Sequence, residues 1–571
     1  MTGPDRSGEP SPAHLLTWIL ARGAPGHPDA GAVALRRWSR PRTGREPRLR
    51  DELTYGELAR RVEATTAALR ARGLAPGDRV LFSVRPRPEG VVLALAVLRA
   101  RATVVFVDPG STPELFAARV AAAAPTWAIT EALLYAVSRG PLRRLARSRG
   151  LLLPDYAGLP LRHVHSGRRL PGVPRGAVSA RTLARGARSA PTPDATLAPG
   201  EPGDEALVVF TSGTTSDPKA VVHSAGSLGA GCDLLRGVFA AQPGETVHTD
   251  QMLLGIPALL AGAVWSVPAD PPARDVVAFA VQAGRSAGTY LVPADVTALL
   301  DAVESGRVPA AGPRVALVGG APVTRTLLDR ARRVLPRTRW VAVYGMTEIL
   351  PVAVVEATEK LEHTGDGDLV GRPLPGVTAR IDGPGPTGEL VLGGPSLMTG
   401  YLADLTRRGR VPEGAIDEHR TGDLAQIDAD GRILLVGRTR DMIIRGTVNI
   451  YPGLFEPRVA ALPGVGEAVL VGVPRDDGDE RVALVLTSDR TAAPIADDDG
   501  TSRPRAVVLT DDHPLVRDVR TRLADVLDHG ALPDVVLHAD HLPLGGRSRK
   551  PDRGALADAV RGSGLLDGVV R

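Results

Sequence analysis

The feature that most narrows the fold is an alternation. Short β-branched runs recur along the chain, each stopping in a turn rich in Gly, Pro or Thr. They are VLFSV from Val80, VVFVD from Val104, ALVVFTSG, GTYLVPA, RVALVGGAP and RWVAVYGMTE. Helical stretches separate them. In LTYGELARRVEATTAALRARG from Leu53, the residues Leu58, Val62, Thr65 and Leu69 recur at spacings of four, three and four, which is one face of a helix. GVVLALAVLRAR, a second helical stretch, lies between the first two strands. Strand, helix and strand at this spacing predict βαβ units and a parallel sheet. Ligands of such sheets collect at the carboxyl ends of the strands.

From about Val377 the pattern changes. ARIDG, GELVLGG and LAQIDADGRILLVGR are short and separated by Gly, Asp and Pro, which reads as antiparallel β structure. After Arg438 a smaller unit begins, with VGEAVLVGVP, VALVLT and VVLHADHLP as strands and VRDVRTRLADVL from Val516 as a helix. The polar, acidic run from Ser488 to Pro504 reads as a mobile surface loop, and residues 1–11 as a loose tail.

Composition narrows the function classes. Hydrophobic residues at 43% and charged residues at 23% fit a folded chain and exclude a disordered or polytopic membrane protein. The single cysteine, Cys232, excludes an internal disulfide framework and a cysteine-only zinc site. Lys219, Lys360 and Lys550 are the only lysines, so 69 basic residues less three leave 66 arginines. These are interleaved with 64 acidic residues for a net charge of +5, and aromatics are 3%, a poor match to a nucleic-acid binder. GPLRRLARSRG at Gly140 could meet anionic lipid, although a solvated helix is the commoner explanation. The uncharged stretch from Gln251 to Ala269 is broken by Gly255, Pro257, Gly262 and Pro268, so a buried helix and strand are expected rather than an integral membrane segment. The first ten residues hold no apolar core, and a cytoplasmic protein is expected.

The strongest local signal is Val208-Val-Phe-Thr-Ser-Gly-Thr-Thr-Ser-Asp-Pro-Lys219. A strand runs into Thr211, Ser212, Gly213, Thr214 and Thr215. Gly213 lets the backbone turn closely and present N–H groups, hydroxyls crowd the same turn, and Lys219 adds a point charge. Such a loop suits polyphosphate oxygens. It is not a Walker loop, because Pro218 precedes the lysine and Ala220 follows it. A plain Ser/Thr-rich surface turn does not explain a lysine in a chain that otherwise uses arginine.

This loop resembles the signature of the adenylate-forming superfamily: acyl-CoA synthetases, luciferases and peptide-synthetase adenylation domains. The superfamily's other motifs have counterparts in order: LTYGEL at Leu53, GGAP at Gly319, YGMTE at Tyr344, GELVLGGPSLMTGYL at Gly388, HRTGD at His419, GRTRDMIIRGTVNIYP at Gly437 and PLGGRSRKPDR at Pro543. One motif alone is weak; the ordered series is specific. The resemblance implies an α/β fold. Residues 12–438 would form a large N-terminal AMP-binding domain, with parallel sheets sandwiched by helices and a small β-barrel-like subdomain. Residues 439–571 would form a small mobile C-terminal α+β domain.

The resemblance also implies roles. Adenine would lie against Tyr344 and Gly320-Ala321, in the turn continued by Gly345 and Met346. Thr347 would meet a phosphate, and Glu348, with Thr211, would hold Mg²⁺. A helix cap is the plainer reading of Glu348. Asp423 would accept both ribose hydroxyls, a turn aspartate being the alternative. Arg438 would contact the nucleotide, Arg440 would be the hinge or an exposed linker residue, and Lys550 would be the catalytic lysine rather than a surface one. Ser216 and Ala220 stand where the superfamily's loop usually has glycine, and Thr447 replaces a glycine near the thiol entry.

The implied reaction uses ATP and Mg²⁺ to convert a small-molecule carboxylic acid to an acyl-adenylate. The acyl group then passes to CoA or another thiol carrier. LLGIPALLAG and GTYLVPADVTALL are strongly apolar and are expected to line the acyl pocket, which favours a medium- or long-chain fatty acid or another hydrophobic acid. Asp250 lies near the amine-binding position of amino-acid-activating relatives, with a surface turn as the commoner reading. Two rivals stay open. A β-lactone synthetase would close a β-hydroxy acyl-adenylate with its own hydroxyl, and TEILPVAV resembles that group, whereas Asn449-Ile-Tyr-Pro resembles acyl-CoA synthetases. A non-catalytic nucleotide-binding protein is the rival of another class.

Overall fold

A computed structural model describes residues 15–40, 47–107, 113–138, 154–184, 200–210, 219–407, 416–438, 441, 443–445, 448–450, 452–474, 480–489, 507–527, 531–545 and 550–566. The LTYGEL run shows how sequence sets local structure. Thr54 caps the helix Tyr55–Arg70 by accepting from the Glu57 N–H, and the Glu57 carboxylate accepts from the Thr54 N–H, a reciprocal capping box. Leu58, Val62, Thr65 and Leu69 are all buried, as their spacing requires. The Tyr55 hydroxyl donates to the carbonyls of Ala263, at 2.7 Å, and Leu259, at 3.2 Å, pinning this helix to the next layer.

Two large sheets result. One has eight strands, in the order Gly400–Tyr401, Ala220–Ser224, Glu205–Phe210, Thr103–Phe106, Arg79–Ser83, Trp127–Glu131, Arg162–Ser166 and Val178–Ser179. From Glu205–Phe210 onward the neighbours are parallel, as the βαβ reading predicts; the first two pairings are antiparallel. The helix Pro88–Arg99 connects Arg79–Ser83 to Thr103–Phe106. The other sheet has thirteen strands. Val33–Trp38, Val264–Val267, Thr246–His248, Gly288–Leu291, Val315–Val318 and Arg339–Met346 are neighbours in that order and parallel. Ile349–Glu356 turns back against Arg339–Met346, and the antiparallel strands Asp368–Pro373, Ile433–Arg438, Glu418–Ile427, Gly388–Gly393 and Thr378–Asp382 continue outward. These last strands enclose a core of their own around Val352, Leu390, Leu392 and Ile433.

The Gln251–Ala269 stretch is the helix Met252–Leu260 followed by the strand Val264–Val267. Gly255 is required there, because a Cβ would sit 1.9 Å from the Trp265 ring. Most of this helix packs into the central core; Met252 and Leu253 alone among its residues remain partly open. Among the described residues, no helix is long and apolar enough to cross a membrane. Cys232 is buried, and burial pushes its thiol up to about 12, which leaves no reactive thiolate.

Beyond Arg438 lies a smaller α+β domain. Its four-stranded sheet has the order Val465–Pro474, Glu480–Ser488, Val535–Ala539 and Leu509–Thr510. One face packs on the helices Pro452–Ala460 and Pro514–Val526 through Val459, Leu470, Leu484 and Val516. The other packs on Arg553–Gly562 through Val471, Val485, Leu556 and Val560. The alternation of strand residues between two apolar faces is why these strands read as continuous apolar runs. The run expected to be a surface loop lies, from residue 490 to 504, outside the described residues, as does GPLRRLARSRG.

Candidate active site

Three strand ends and one strand carry the motif residues. The first follows Glu205–Phe210. Thr211, Ser212, Gly213, Thr214 and Thr215 lie outside the described residues, which resume at Lys219. Phe210 stands opposite Ala220 in the antiparallel pair. Lys219 is exposed there.

The second turn follows Val315–Val318. Gly320 has φ +79°, which favours glycine, and a Cβ on it would lie 3.1 Å from the Tyr290 hydroxyl. A Cβ on Gly319 would lie 2.9 Å from the Val343 carbonyl. This turn is thus pressed against the next strand, and Ala321 follows it.

The third is the hairpin tip between Arg339–Met346 and Ile349–Glu356. The sequence suggests that the strand stops before Tyr344, yet Tyr344, Gly345 and Met346 are its last residues. Their partner ILPVAVVE extends the ladder, with Tyr344 opposite Ala353 and Met346 opposite Ile349. Thr347 and Glu348 form the tip, so Glu348 caps no helix. His223 Nε2 bonds the Thr347 carbonyl at 2.8 Å, and its Nδ1 meets Ser227 Oγ at 3.1 Å. A carbonyl only accepts, so Nε2 carries the proton and Nδ1 accepts from the serine. Burial lowers the His223 pKa and keeps this neutral tautomer. The Met398 N–H donates to the Glu348 carbonyl at 2.8 Å.

The fourth segment is HRTGD. Asp423 lies inside the strand Glu418–Ile427 rather than in a turn, 2% exposed, and directly opposite Arg438 in Ile433–Arg438. Gly422, just before Asp423, has φ +70°, a conformation that favours glycine. The Tyr344 hydroxyl donates to Asp423 Oδ2 at 2.6 Å, joining the expected adenine and ribose residues.

Tyr401 connects the first and third turns. Its hydroxyl donates to Glu348 Oε1 at 2.9 Å, and the Lys219 ammonium lies 5.4 Å from its ring centroid. His419 packs edge-on at 6.3 Å, and burial, with the Lys219 charge, lowers its pKa against the pull of Glu348, Glu389 and Asp423. Lys219, Glu348, Tyr344 and Asp423 are therefore brought together, with Thr347 at the same tip. Sequence reasoning assigned no role to His223, Tyr401 or His419. Tyr401 closes the GELVLGGPSLMTGYL motif and His419 opens HRTGD, and those motif positions were the available signal. Asp250 sits half-buried in the bend before Met252–Leu260.

On the smaller domain, Lys550 pairs with Gly545 in a short hairpin, and Asp552 caps the helix that follows. Arg553, the first residue of that helix, is partly buried. It binds both Glu456 oxygens, at 2.6 and 2.8 Å, and the Leu470 carbonyl at 2.6 Å. It also lies 3.8 Å from Asp441, beside the expected hinge. Arg440 and Thr447 lie outside the described residues. The helix Pro452–Ala460 lies against Ile433–Arg438, where a Cβ on Gly453 would be 3.0 Å from the Val436 carbonyl.

Among the described residues, no group of three or more His, Cys, Asp or Glu could hold a metal ion. Mg²⁺ at nucleotide sites takes one or two carboxylates and completes its shell with phosphate and water. Glu348 fits that use: it is half-buried at a hairpin tip, one oxygen is engaged by Tyr401, and the phosphate-loop lysine is close by.

Comparison with known proteins agrees with this geometry. The family model described as AMP-binding enzyme matches residues 21–402, more than half of the chain. An olefin beta-lactone synthetase of Xanthomonas campestris pv. campestris is 30% identical over 460 residues, covering 74% of this chain and 78% of that protein. A feruloyl-CoA synthase of Amycolatopsis sp is 30% identical over 477 residues, covering 76% and 87%. The solved amide bond synthetase of Marinactinospora thermotolerans superposes with a TM-score of 0.71 at 24% identity, over 96% of this chain and 99% of that one, which shows a shared fold.

Proposed function

The chain belongs to the AMP-binding enzyme family of adenylate-forming ligases, and on that premise we propose that it activates a hydrophobic carboxylic acid with ATP and transfers the acyl group to CoA. The observation that carries this reading is the convergence of Lys219, Glu348, Tyr344 and Asp423 on one region through Tyr401 and the Tyr344–Asp423 bond.

In the first step a substrate carboxylate oxygen attacks the α-phosphorus of ATP. An O–P bond forms, the bond to pyrophosphate breaks, and the acyl-adenylate remains. In the second, the thiol sulfur attacks the acyl carbonyl, the thiol gives up its proton, and AMP leaves. Tyr344 and the Gly320-Ala321 turn hold adenine, and Asp423 and Arg438 hold the ribose side. The loop from Thr211 to Thr215, together with Lys219 and Thr347, holds the phosphates. Glu348 and Thr211 would hold Mg²⁺, which neutralises phosphate charge when bound. Lys550 follows the negative charge between carboxylate and α-phosphate, a task suited to a flexible ammonium with three donors. We assign residues 12–438 to the nucleotide-binding domain and 439–571 to the mobile one. A swing about Arg440 exchanges Lys550 for the thiol path.

The feruloyl-CoA synthase supports CoA as acceptor, as does the Asn449-Ile-Tyr-Pro run. The Xanthomonas relative supports a second reading, closure of a β-hydroxy acyl-adenylate to a β-lactone. Acid-dependent exchange of pyrophosphate into ATP tests the first step; its absence across a broad acid panel would overturn the proposal. AMP release that requires CoA supports the ligase. Release with a β-hydroxy acid and no CoA supports the lactone reading.

A further inference from the structure

We propose that Tyr401 is a positioning residue for both charges of the nucleotide cleft, orienting the Glu348 carboxylate with its hydroxyl and holding the Lys219 ammonium away from that carboxylate with its ring. The inference rests on the reading of Glu348 and Lys219 given above and adds a residue that the motifs leave without a task.

The backbone fixes Tyr401 from two directions. Gly400–Tyr401 is zipped to Ala220–Ser224, with Tyr401 opposite Val221, two residues beyond Lys219. The preceding residues are tied to the Glu348 hairpin, since the Met398 N–H binds the Glu348 carbonyl and Leu397 bridges Ile349. The His419 ring closes one side of the phenol edge-on. A tyrosine held this way spends little further entropy in holding other groups.

Charge explains why a phenol is useful at this point. Lys219 and Glu348 carry opposite charges on adjoining turns. A direct ion pair would turn both away from a phosphate and a cation, and would have to break when the nucleotide arrives. The phenol face attracts the ammonium through the ring quadrupole. Its hydroxyl uses one carboxylate oxygen and so leaves the second directed to an incoming ligand.

The test is nucleotide binding to the full chain without acid substrate, by calorimetric titration with ATP at a series of Mg²⁺ concentrations and in excess EDTA. Tyr401→Phe keeps the ring and loses the hydroxyl. The Mg²⁺ concentration that half-restores tight ATP binding should rise about tenfold, with metal-free ATP affinity unchanged, a split that a loss of fold would not produce. Tyr401→Leu should in addition weaken metal-free ATP binding severalfold, because the ammonium loses the ring face that helps to position it. Adding Tyr401→Phe to Glu348→Gln should change the Mg²⁺ dependence no further. If Glu348→Gln shifts the Mg²⁺ dependence and Tyr401→Phe does not, the positioning role is wrong while the functional reading stands. If Glu348→Gln itself changes nothing, both fall.

Discussion

Tyr344 and Asp423, 79 residues apart in sequence, share a 2.6 Å hydrogen bond between the last of the parallel strands and the antiparallel extension of the same sheet. The bond makes the two expected nucleotide contacts one unit: the residue proposed to meet the base also holds the acid proposed to meet the sugar. Tyr344→Phe keeps the ring and removes the donor. A hydrogen bond to a charged group contributes about 1.5–3 kcal/mol, so ATP affinity should fall roughly ten- to a hundredfold. Nucleotide titration checks this; unchanged affinity would separate Asp423 from the site.

Lys550→Ala should nearly abolish pyrophosphate exchange and leave ATP binding within about twofold of the native value. Lys550→Arg should recover little, because a planar guanidinium cannot follow charge between two oxygens as an ammonium does. Exchange and binding measured on the same preparation decide the matter. Full exchange activity in the alanine variant refutes the role.

Arg553 sets the stability of the smaller domain. Removing one partner of this part-buried pair leaves the other without its bidentate contact, at a cost of about 1–3 kcal/mol. Arg553→Met should therefore shift the denaturation of this domain by that amount, and the double variant Arg553→Met/Glu456→Leu should regain much of it. Denaturant titration of all three chains gives the answer. Equal stability of the single variant and the native chain would show that the bidentate contact carries no weight.

The fold was largely legible because its strands are apolar on both faces and its helices keep a 3.6-residue stripe, as at Leu58, Val62 and Leu69. The site was legible only in part. Glu348 and Asp423 were found through their motifs, but their settings differ from a local reading. The hairpin that carries Glu348 exists because Ile349–Glu356 pairs backwards, and the strand that carries Asp423 is held by partners on both sides. Neither pairing is visible in a short window of sequence. Tyr401 and His223 were missed for the same reason. Each makes its decisive contact with a residue more than fifty positions away, Glu348 and Thr347, and a tyrosine or histidine near a strand end carries no mark of such a partner.

Acid should weaken the fold through His248. This residue is fully buried between strands, with Nδ1 on Ser266 Oγ at 2.8 Å, and burial pushes its pKa down to about 3. Its unfolded value is about 6.5. The depressed pKa means that the unfolded chain binds a proton the folded one refuses. Stability is complete above about 6.5 and is lost as pH falls from there toward 3, by up to about 1.4 kcal/mol per pH unit for this one group. His248→Gln should flatten the decline in melting temperature between pH 6.5 and 5. An identical slope in the variant would assign the acid sensitivity elsewhere.

Lys360 has a consequence for how this molecule is handled at the bench. It is 2% exposed, its ammonium bound to the Leu369 carbonyl at 2.9 Å and to Asp368 at 2.6 Å. An amine-directed label meets a wall there. Apart from a terminal amine, whatever such a reagent reports comes from Lys219 or Lys550. Nature has in effect left this chain pre-tagged at the two lysines assigned to the nucleotide, so protection from acylation by a bound nucleotide can be followed with no engineered handle.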